Sequence, residues 1–498
     1  MSKKPIQLDE NGKRKFGIWD KLAYAAGDLG CNMSFGLKST VQTFWLAYMM
    51  IETGMLSALL LIVQIWDAIN DPLIGSMIDA DRRKYRMGKF KTYIFVGACG
   101  LIIGGAAVFL PFPNADVWLK AVLFIAGYIV WDAAYTVANV PYGSMLSLVT
   151  EDAGERAQLS SWRSIGSAIG NVLPGVILPF LIWEKVVDKN GDPVINAETG
   201  VQEQILLGDR VFWAALLMGV FGFLCFLFMI KKITIRVDEN SVKTSEATEK
   251  FNVLKAFGNF LKNRPAVGAT VAAMGMFLGM QSATTASTIM FATYFGQAEL
   301  SGLVMMIGFV PAFIFIPFIK KIVDKYGKKE ASVAGTVVSL FGGLVMLIFP
   351  LIQNKTASLV VFMGGLVIFG LGMGVYTCVS WALMADAIDY NEWKTGKREE
   401  GTVYSLHSFF RKLAQGIGPS AVIFIMGFLG YVSDKGTGGQ SAATSYNMCW
   451  LVAGLYLFSA ICQFVGLAFI YNLDKKTMAK MNSELAARKT AAAENTEA

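Results

Sequence analysis

Residues 66–72 read Trp-Asp-Ala-Ile-Asn-Asp-Pro and lie inside an apolar run from about residue 55 to residue 78. A helical run of that length crosses a bilayer. Asp67, Asn70 and Asp71 stand at positions i, i+3 and i+4, so a helix places all three on one face within a single turn. Carboxylates at membrane depth are costly unless they are paired, hydrated or bound to a cation. The pattern predicts either aspartates neutralised by basic residues of neighbouring helices or a cation site, and the rest of the chain favours the cation site.

The composition indicates a polytopic membrane protein. Of the 498 residues, 54% are hydrophobic and 16% are charged, whereas about a quarter of the residues in a soluble protein are charged. The six cysteines all fall inside apolar segments without a paired or metal-ligand spacing, so we expect no disulfide framework. There is no nucleophile–base pairing, no phosphate-binding loop and one histidine. We therefore expect no enzyme activity, no cofactor and no nucleic-acid partner.

Apolar segments alternate with polar loops along the chain. Twelve such segments lie at about 22–50, 55–80, 92–112, 117–150, 158–183, 209–230, 265–295, 300–320, 331–352, 357–388, 402–431 and 445–472. The polar residues between the sixth and seventh segments predict a linker over 231–264, with a short amphipathic helix at 251–261. Residues 1–21 and 473–498 predict a polar N-terminal segment and a polar tail.

Basic residues predict the orientation of these segments. They crowd the second loop, at residues 82–91, and the eighth loop, at residues 320–329, whereas the odd-numbered loops hold scattered lysines. By the positive-inside rule, both termini and the even-numbered loops are cytoplasmic. We therefore expect a multi-pass protein of the cell's inner (plasma) membrane, in contact with the lipid bilayer and monomeric.

The two halves of the chain echo each other. Asp79 precedes the basic run of the second loop as Asp324 precedes that of the eighth, and Ser-Trp-Arg at 161–163 has a counterpart in Ser-Phe-Phe-Arg at 408–411. The offset is about half the chain. It predicts an all-α membrane protein with twelve transmembrane helices in two six-helix halves, at 22–230 and 265–472, which is the layout of the major facilitator fold.

Costly polar residues concentrate on the first, second, fourth, fifth, tenth and eleventh segments, which indicates a hydrated cavity. Asn32 and Asn139 either bind a ligand or hydrogen-bond between helices. His407 is an interhelical hydrogen bonder, a sugar contact or a proton carrier. Small residues beside them predict close helix packing; they are Gly166, Gly170, Gly416 and Gly418.

Two basic residues in these segments have a stronger case for function. An unpaired cation at the position of Arg163 or Lys412 is costly in a membrane. These residues therefore either contact a ligand or supply the counter-charges of Asp67 and Asp71.

Four separated motifs resemble a known family. They are DAINDPLIG at 67–75, GKFK at 88–91, NVPYG at 139–143 and ADAIDYNEWKTG at 385–396. In this order they resemble the signature of the glycoside–pentoside–hexuronide:cation symporters, the relatives of the melibiose permease. The resemblance runs from about residue 22 to beyond residue 418. It implies a small-molecule sugar as substrate and Na⁺, Li⁺ or H⁺ as the coupling cation.

The resemblance also implies residue roles. The family's cation site maps onto Asp67, Asn70, Asp71 and Thr136, and Asp67 and Asp71 would hold the metal ion of a sodium-coupled protein. The family's sugar pocket maps onto Asn32, Tyr135, Asn139, Arg163, Thr377, His407, Ser408 and Lys412.

The chain departs from the melibiose permease at four positions of this pocket. Asn32 and Asn139 stand where that protein has sugar-binding aspartates, and Gly143 and Thr377 stand where it has tryptophans. A pocket that loses those acids but keeps its basic residues is more cationic. It suits an anionic sugar such as a hexuronide, or a larger pentoside or oligosaccharide, better than an α-galactoside.

We expect a secondary active symporter that takes up a sugar by alternating access while Na⁺ or H⁺ flows inward. Two rival interpretations stay open. A carrier of a non-sugar solute on the same fold is expected to have a more apolar cavity than these polar segments indicate. A sensor that binds sugar without transporting it is expected to carry a domain-sized soluble region, which the sequence does not contain.

Overall fold

The computed structural model describes residues 13–81, 83–150, 152–237, 253–314, 318–396 and 400–497. Nine helical runs within these residues are long and apolar enough to cross a membrane. They are Thr53–Ile78, Lys89–Val108, Val117–Leu146, Gly154–Ile182, Gly208–Lys232, Arg264–Phe295, Lys328–Leu351, Lys355–Thr395 and Ala442–Ile470. Each coincides with one of the twelve predicted segments, which confirms the helical membrane class.

The chain divides into two compact units. The first unit comprises Met1–Val194, Glu203–Thr248 and Val432–Gly438. The second unit comprises Ile195–Gln202, Glu249–Tyr431 and Gly439–Ala498. Each unit also includes a short segment from elsewhere along the chain, so the units do not follow the predicted boundaries of the two halves residue by residue. The halves at 22–230 and 265–472 therefore stay a prediction.

The first unit is built from helices α1 to α7. Their bounds are α1 Ile18–Phe35, α2 Lys38–Thr43, α3 Thr53–Ala80, α4 Lys89–Val108, α5 Val117–Val149, α6 Ala153–Ile182 and α7 Gly208–Lys232, and a π-helical turn at Phe44–Tyr48 extends α2. Helices α3 and α6 begin with a side-chain cap. The Glu52 carboxylate accepts the backbone N–H groups of Gly54 and Met55 before α3, and the Asp152 carboxylate accepts that of Glu155 at the start of α6.

The first predicted segment is interrupted, which its hydrophobicity does not indicate. Helix α1 ends at Phe35, and α2 begins only at Lys38. The backbone N–H of Gly36 still donates to the carbonyl oxygen of Asn32, at 2.8 Å. The Pro174 ring of α6 lies against Gly36, where a Cβ atom would stand only 3.0 Å from it. A close approach of α6 therefore coincides with the break.

A small antiparallel hairpin is the second feature that the sequence analysis did not predict. Strand β1 at Trp183–Lys185 pairs with β2 at Gln204–Leu206. The chain turns at Gly191, whose φ of +90° is a left-handed conformation that glycine adopts without strain. The Asp188 carboxylate accepts the N–H groups of Asn190 and Asp192 and so fixes this turn.

The second unit is built from helices α8 to α17. Their bounds are α8 Val253–Lys262, α9 Arg264–Met276, α10 Ser282–Met290, α11 Ser301–Ile314, α12 Ile319–Tyr326, α13 Lys328–Met346, α14 Lys355–Thr395, α15 Glu400–Phe428, α16 Ala442–Phe464 and α17 Lys475–Glu497. Helix α8 lies where the amphipathic helix at 251–261 is predicted; residues 251 and 252, like linker residues 238–250, lie outside the described part of the chain.

The internal repeat is visible at one loop of each unit. Gly88 precedes α4 with a φ of +87°, and Gly327 precedes α13 with a φ of +100°. In the first unit, the hydroxyl groups of Tyr85 and Tyr93 donate to the Asp81 carboxylate at 2.5 and 2.6 Å. Because these hydrogen bonds favour the ionised form, they lower the pKa of Asp81 to about 2.

Candidate functional site

The four predicted cation ligands lie on helices α3 and α5, and the buried side-chain amide of Asn70 links the two helices. Asn70 is fully buried, and its Nδ2 donates to the Thr136 hydroxyl at 2.9 Å and to the Asp132 carboxylate at 3.2 Å. The Thr136 hydroxyl in turn lies 2.9 Å from Oδ1 of Asp71. We call Asp67, Asn70, Asp71, Asp132 and Thr136 the carboxylate cluster.

Lys38 of α2 supplies a positive charge beside the carboxylate cluster. Its Nζ lies 4.0 Å from Oδ2 of Asp67. Asp132 is 3% exposed and lies close enough to Asp67 and Lys38 for direct electrostatic interaction. Lys38 and Asp132 are not among the site residues predicted from the sequence. Nothing in the spacing of a single segment indicates that they meet.

The carboxylate cluster has the donor atoms that a small, hard cation requires. Oδ1 of Asn70 is buried without a hydrogen-bond partner, while Nδ2 of the same amide makes both of its bonds within the cluster. Oxygen is the ligand that hard cations prefer. Within the described residues, no group of three or more His, Cys, Asp or Glu side chains is placed to hold a metal ion. A cation bound by the carboxylate cluster would therefore be held by a mixture of carboxylate, amide and hydroxyl oxygens.

Arg163 belongs to a different network in the first unit. Its Nε donates to Oδ1 of Asp28 at 2.9 Å. Nδ2 of Asn32 donates to Oδ2 of the same carboxylate at 2.9 Å, and Nδ2 of Asn171 donates to Oδ1 of Asn32 at 2.8 Å. The interpretation of Arg163 as a counter-charge for Asp67 and Asp71 is therefore wrong, because the nearer carboxylate of Asp28 takes its charge.

Aromatic rings and glycines hold this network in place. The Arg163 guanidinium lies 5.1 Å from the centre of the Tyr142 ring, and the Tyr142 hydroxyl donates to the Tyr24 carbonyl at 2.8 Å. A Cβ atom on Gly166 would overlap the carbonyl oxygen of Ala25, so α6 and α1 approach each other as closely as their backbones allow. Gly170 likewise lies against Asn32. The close-packing interpretation of both glycines is confirmed.

The remaining predicted residues of the first unit lie on α5. Tyr135 and Asn139 are half-buried. The Tyr135 ring lies 6.1 Å from that of Phe35. Asn139 stands three residues after Thr136 of the carboxylate cluster, on the same face of the helix.

The predicted sugar contacts of the second unit are spread over α14 and α15. His407 is buried, and its Nδ1 lies 2.8 Å from the Thr270 hydroxyl of α9, which makes it an interhelical hydrogen bonder. The exposed Thr377 donates to the Met373 carbonyl of its own helix at 3.0 Å. Ser408 and Lys412 are half-buried on α15.

Arg411 is a further charged residue of α15 to which the sequence analysis gave no role. Its guanidinium lies 5.6 Å from the ring centre of Phe277 and 5.5 Å from that of Trp381. Trp381 stacks with Tyr404 at 5.8 Å. The Nε atom of Arg411 is buried and has no hydrogen-bond partner.

Comparison with known proteins places the chain in a family. Residues 23–475 match the family described as MFS/sugar transport protein. The chain belongs to that family. A protein named Uncharacterized symporter YjmB, from Bacillus subtilis (strain 168), is 28% identical over 95% of this chain and 96% of its own length. A Glucuronide carrier protein homolog from Escherichia coli (strain K12) is 28% identical over 83% of this chain and 84% of its own.

A solved structure supports the fold independently of these relatives. The crystal structure of a D-xylose-proton symporter matches with a TM-score of 0.56 and 16% identity, over 89% of this chain and 96% of that one. At this identity the likeness shows the fold alone. Fold and family together confirm a multi-pass membrane transporter of the major facilitator superfamily, of the sugar-transport class and not an enzyme.

Proposed function

We propose that this transporter is a symporter that couples inward flow of Na⁺, Li⁺ or H⁺ to the uptake of a sugar. It acts in the inner (plasma) membrane with both termini in the cytoplasm. The observation that supports coupling most is the buried and unpartnered Oδ1 of Asn70, whose amide nitrogen donates to Asp132 and Thr136 of the carboxylate cluster. A bound cation supplies the partner that this oxygen lacks.

The carboxylate cluster also gives the cation a role in the transport cycle. Asp67 and Asp71 bear negative charge that is costly to enclose away from water. A cation bound beside them reduces that cost, so a conformation that encloses the cavity becomes accessible and the affinity for sugar rises. One charge that crosses a potential of 100 mV supplies about 2.3 kcal/mol, enough for a sugar gradient of roughly fiftyfold.

We propose a hexuronide, an anionic sugar, as the substrate class. The pocket lacks the two acids that a neutral galactoside carrier has at the positions of Asn32 and Asn139, and a glucuronide carrier homolog is among the relatives. Residues proposed to contact the sugar are Asn32, Tyr135, Asn139, Arg163, Thr377, His407, Ser408 and Lys412. Arg163 contributes hydrogen bonds rather than net charge, since Asp28 neutralises it.

Asp71→Asn tests the coupling directly. The substitution keeps the size of the side chain but removes the charge that the cation neutralises, so we expect sugar accumulation against a gradient to be abolished. The measurement is uptake of labelled glucuronide into proteoliposomes under an imposed cation gradient. Asp192→Asn, at an exposed turn, is the matched control and is expected to transport normally. Uphill accumulation that persists in Asp71→Asn would refute the assignment.

A further inference from the structure

Arg411 is a half-buried positive charge of the second unit that no carboxylate balances in the part of the chain that the structure describes. None of the acidic side chains in the described residues forms an ion pair with it, and its Nε makes no hydrogen bond. It stands eleven residues into α15, about 16 Å along a helix that is about 43 Å long. The charge therefore lies in the middle third of the helix, far from both ends.

The aromatic neighbours of Arg411 compensate its charge only in part. The rings of Phe277 and Trp381 face the guanidinium at 5.6 and 5.5 Å, within the range of cation–π attraction. An aromatic face offers no acceptor in the plane of the guanidinium, and the buried Nε has no hydrogen-bond partner. Such a group in a transporter is expected to meet its acceptor in a ligand.

The surroundings of Arg411 also suit the ring of a sugar. Trp381 is 51% exposed and Tyr404 is 48% exposed, although both are large aromatic side chains on helices of the transport fold. The two rings stack at 5.8 Å, and the guanidinium lies 5.5 Å from the centre of the Trp381 ring. Aromatic surfaces with a few convergent polar groups are typical of small-molecule sites.

We propose that Arg411 binds the carboxylate of the transported sugar and selects a hexuronide over the neutral hexoside. The inference rests on the proposed function, in that it takes the chain to transport a sugar. The guanidinium presents paired N–H groups to the two carboxylate oxygens, and the aromatic surface of Trp381 and Tyr404 receives the apolar face of the ring. Arg411 is thus a specificity-determining residue that the family motifs do not mark.

Arg163 is the alternative anchor for the carboxylate, and its contacts argue against it. Its Nε is committed to Asp28 at 2.9 Å, and Asp28 is 4% exposed. A sugar carboxylate at Arg163 would meet the negative charge of Asp28 at close range, which costs binding energy. Arg411 presents no such competitor among the residues that the structure describes.

The test compares two substrates that differ in one group. Uptake of 4-nitrophenyl β-D-glucuronide and of 4-nitrophenyl β-D-glucoside is measured in proteoliposomes for the wild type, Arg411→Met and Arg411→Lys. Arg210→Met removes a surface arginine that is paired with Glu184 and serves as the matched control. Because a hydrogen bond to a charged group contributes about 1.5–3 kcal/mol, we expect Arg411→Met to lose between about tenfold and a hundredfold of the glucuronide affinity.

The pattern across both substrates decides between the outcomes. We expect Arg411→Met to keep its uptake of the glucoside, Arg411→Lys to keep part of its preference for the glucuronide, and Arg210→Met to behave as the wild type. An equal loss for both sugars in Arg411→Met, or a wild type that carries only the glucoside, overturns the inference and leaves sugar transport standing. A wild type that carries neither sugar under any gradient overturns the proposed function together with the inference.

Discussion

Arg163 of the first unit and Arg411 of the second unit differ in how their positive charge is balanced. In the first unit, Lys38 stands beside Asp67 and Arg163 is hydrogen-bonded to Asp28, so each cation has an acid of its own. In the second unit, Arg411 lies among aromatic rings and no carboxylate pairs with it in the described part of the chain. A paired charge stabilises a fold or tunes an ion site, whereas an unpaired one is available to a ligand.

Under the proposed function, the two units have separate tasks. The first unit gathers three acidic side chains near a buried, unpartnered amide oxygen, which suits a cation. The second unit offers a guanidinium and exposed aromatic rings, which suit an anionic sugar. Three sets of variants sharpen or break this comparison.

Loss of a paired arginine is expected to have the largest effect on stability. Arg163→Gln leaves the Asp28 carboxylate, 6% exposed as a side chain, without its counter-charge and lowers the free energy of unfolding by about 3 kcal/mol. Arg411→Met removes an unpaired charge and is expected to leave the stability unchanged or raised. Thermal unfolding of the purified protein in detergent measures both.

The double variant Asp28→Asn with Arg163→Gln is the control for this prediction. It leaves no unpaired charge, so it should recover most of the stability that Arg163→Gln loses. Equal destabilisation by Arg163→Gln and Arg411→Met would contradict the distinction between a paired Arg163 and an unpaired Arg411.

One closely packed glycine from each unit tests the helix contacts in the same experiment. A Cβ on Gly166 meets the backbone carbonyl of Ala25, which cannot move without moving α1, so Gly166→Ala should cost about 2 kcal/mol. A Cβ on Gly418 meets the hydroxyl of Ser282, which rotates away, so Gly418→Ala should cost about 1 kcal/mol or less.

Gly175→Ala provides the baseline for these two variants. No atom lies within 4 Å of the position of its Cβ, so the substitution is expected to be neutral or slightly stabilising. If Gly166→Ala unfolds at the temperature of Gly175→Ala, the close contact between α6 and α1 is not needed for stability.

Lys38→Met is expected to have the smallest energetic effect of these variants. The effect is on the affinity for the coupling cation. Two unit charges 4 Å apart interact by about 1 kcal/mol in water and by more in a less polar site. Removal of the ammonium beside Asp67 should therefore lower the cation concentration that half-saturates sugar uptake by at least about fivefold. Lys189→Met, at the exposed hairpin turn, is the control. If the cation concentration that half-saturates uptake is unchanged in Lys38→Met, Lys38 does not influence the ion site.

The sequence predicted those features that a single segment encodes. Long apolar runs predicted the membrane helices because the bilayer sets their length, and the spacing of Asp67, Asn70 and Asp71 predicted one polar face because a helix repeats every 3.6 residues. The short strands of the hairpin carry no comparable signal. The break at Gly36 coincides with the close approach of Pro174 from another helix, which hydrophobicity does not indicate.

Partners on other helices lay beyond the reach of the sequence. The contacts of Asp132 with Asn70 and of Arg163 with Asp28 depend on how each helix is rotated about its axis, which hydrophobicity does not fix for a helix that is apolar on most sides. Arg411 and Lys412 are adjacent, so composition cannot tell which of them faces the aromatic rings. An orphaned buried amide oxygen is likewise visible only in a structure.

Labelled uptake in proteoliposomes, with the membrane current recorded in parallel, tests the central claim of cation-coupled sugar transport most directly. Neutral and anionic sugars are offered under separate Na⁺, Li⁺ and H⁺ gradients. The account predicts accumulation of a hexuronide under one of these gradients and none without it, with little current because one cation and one anionic sugar move together. Uptake that only equilibrates, at the same rate with and without every cation gradient, would contradict the account.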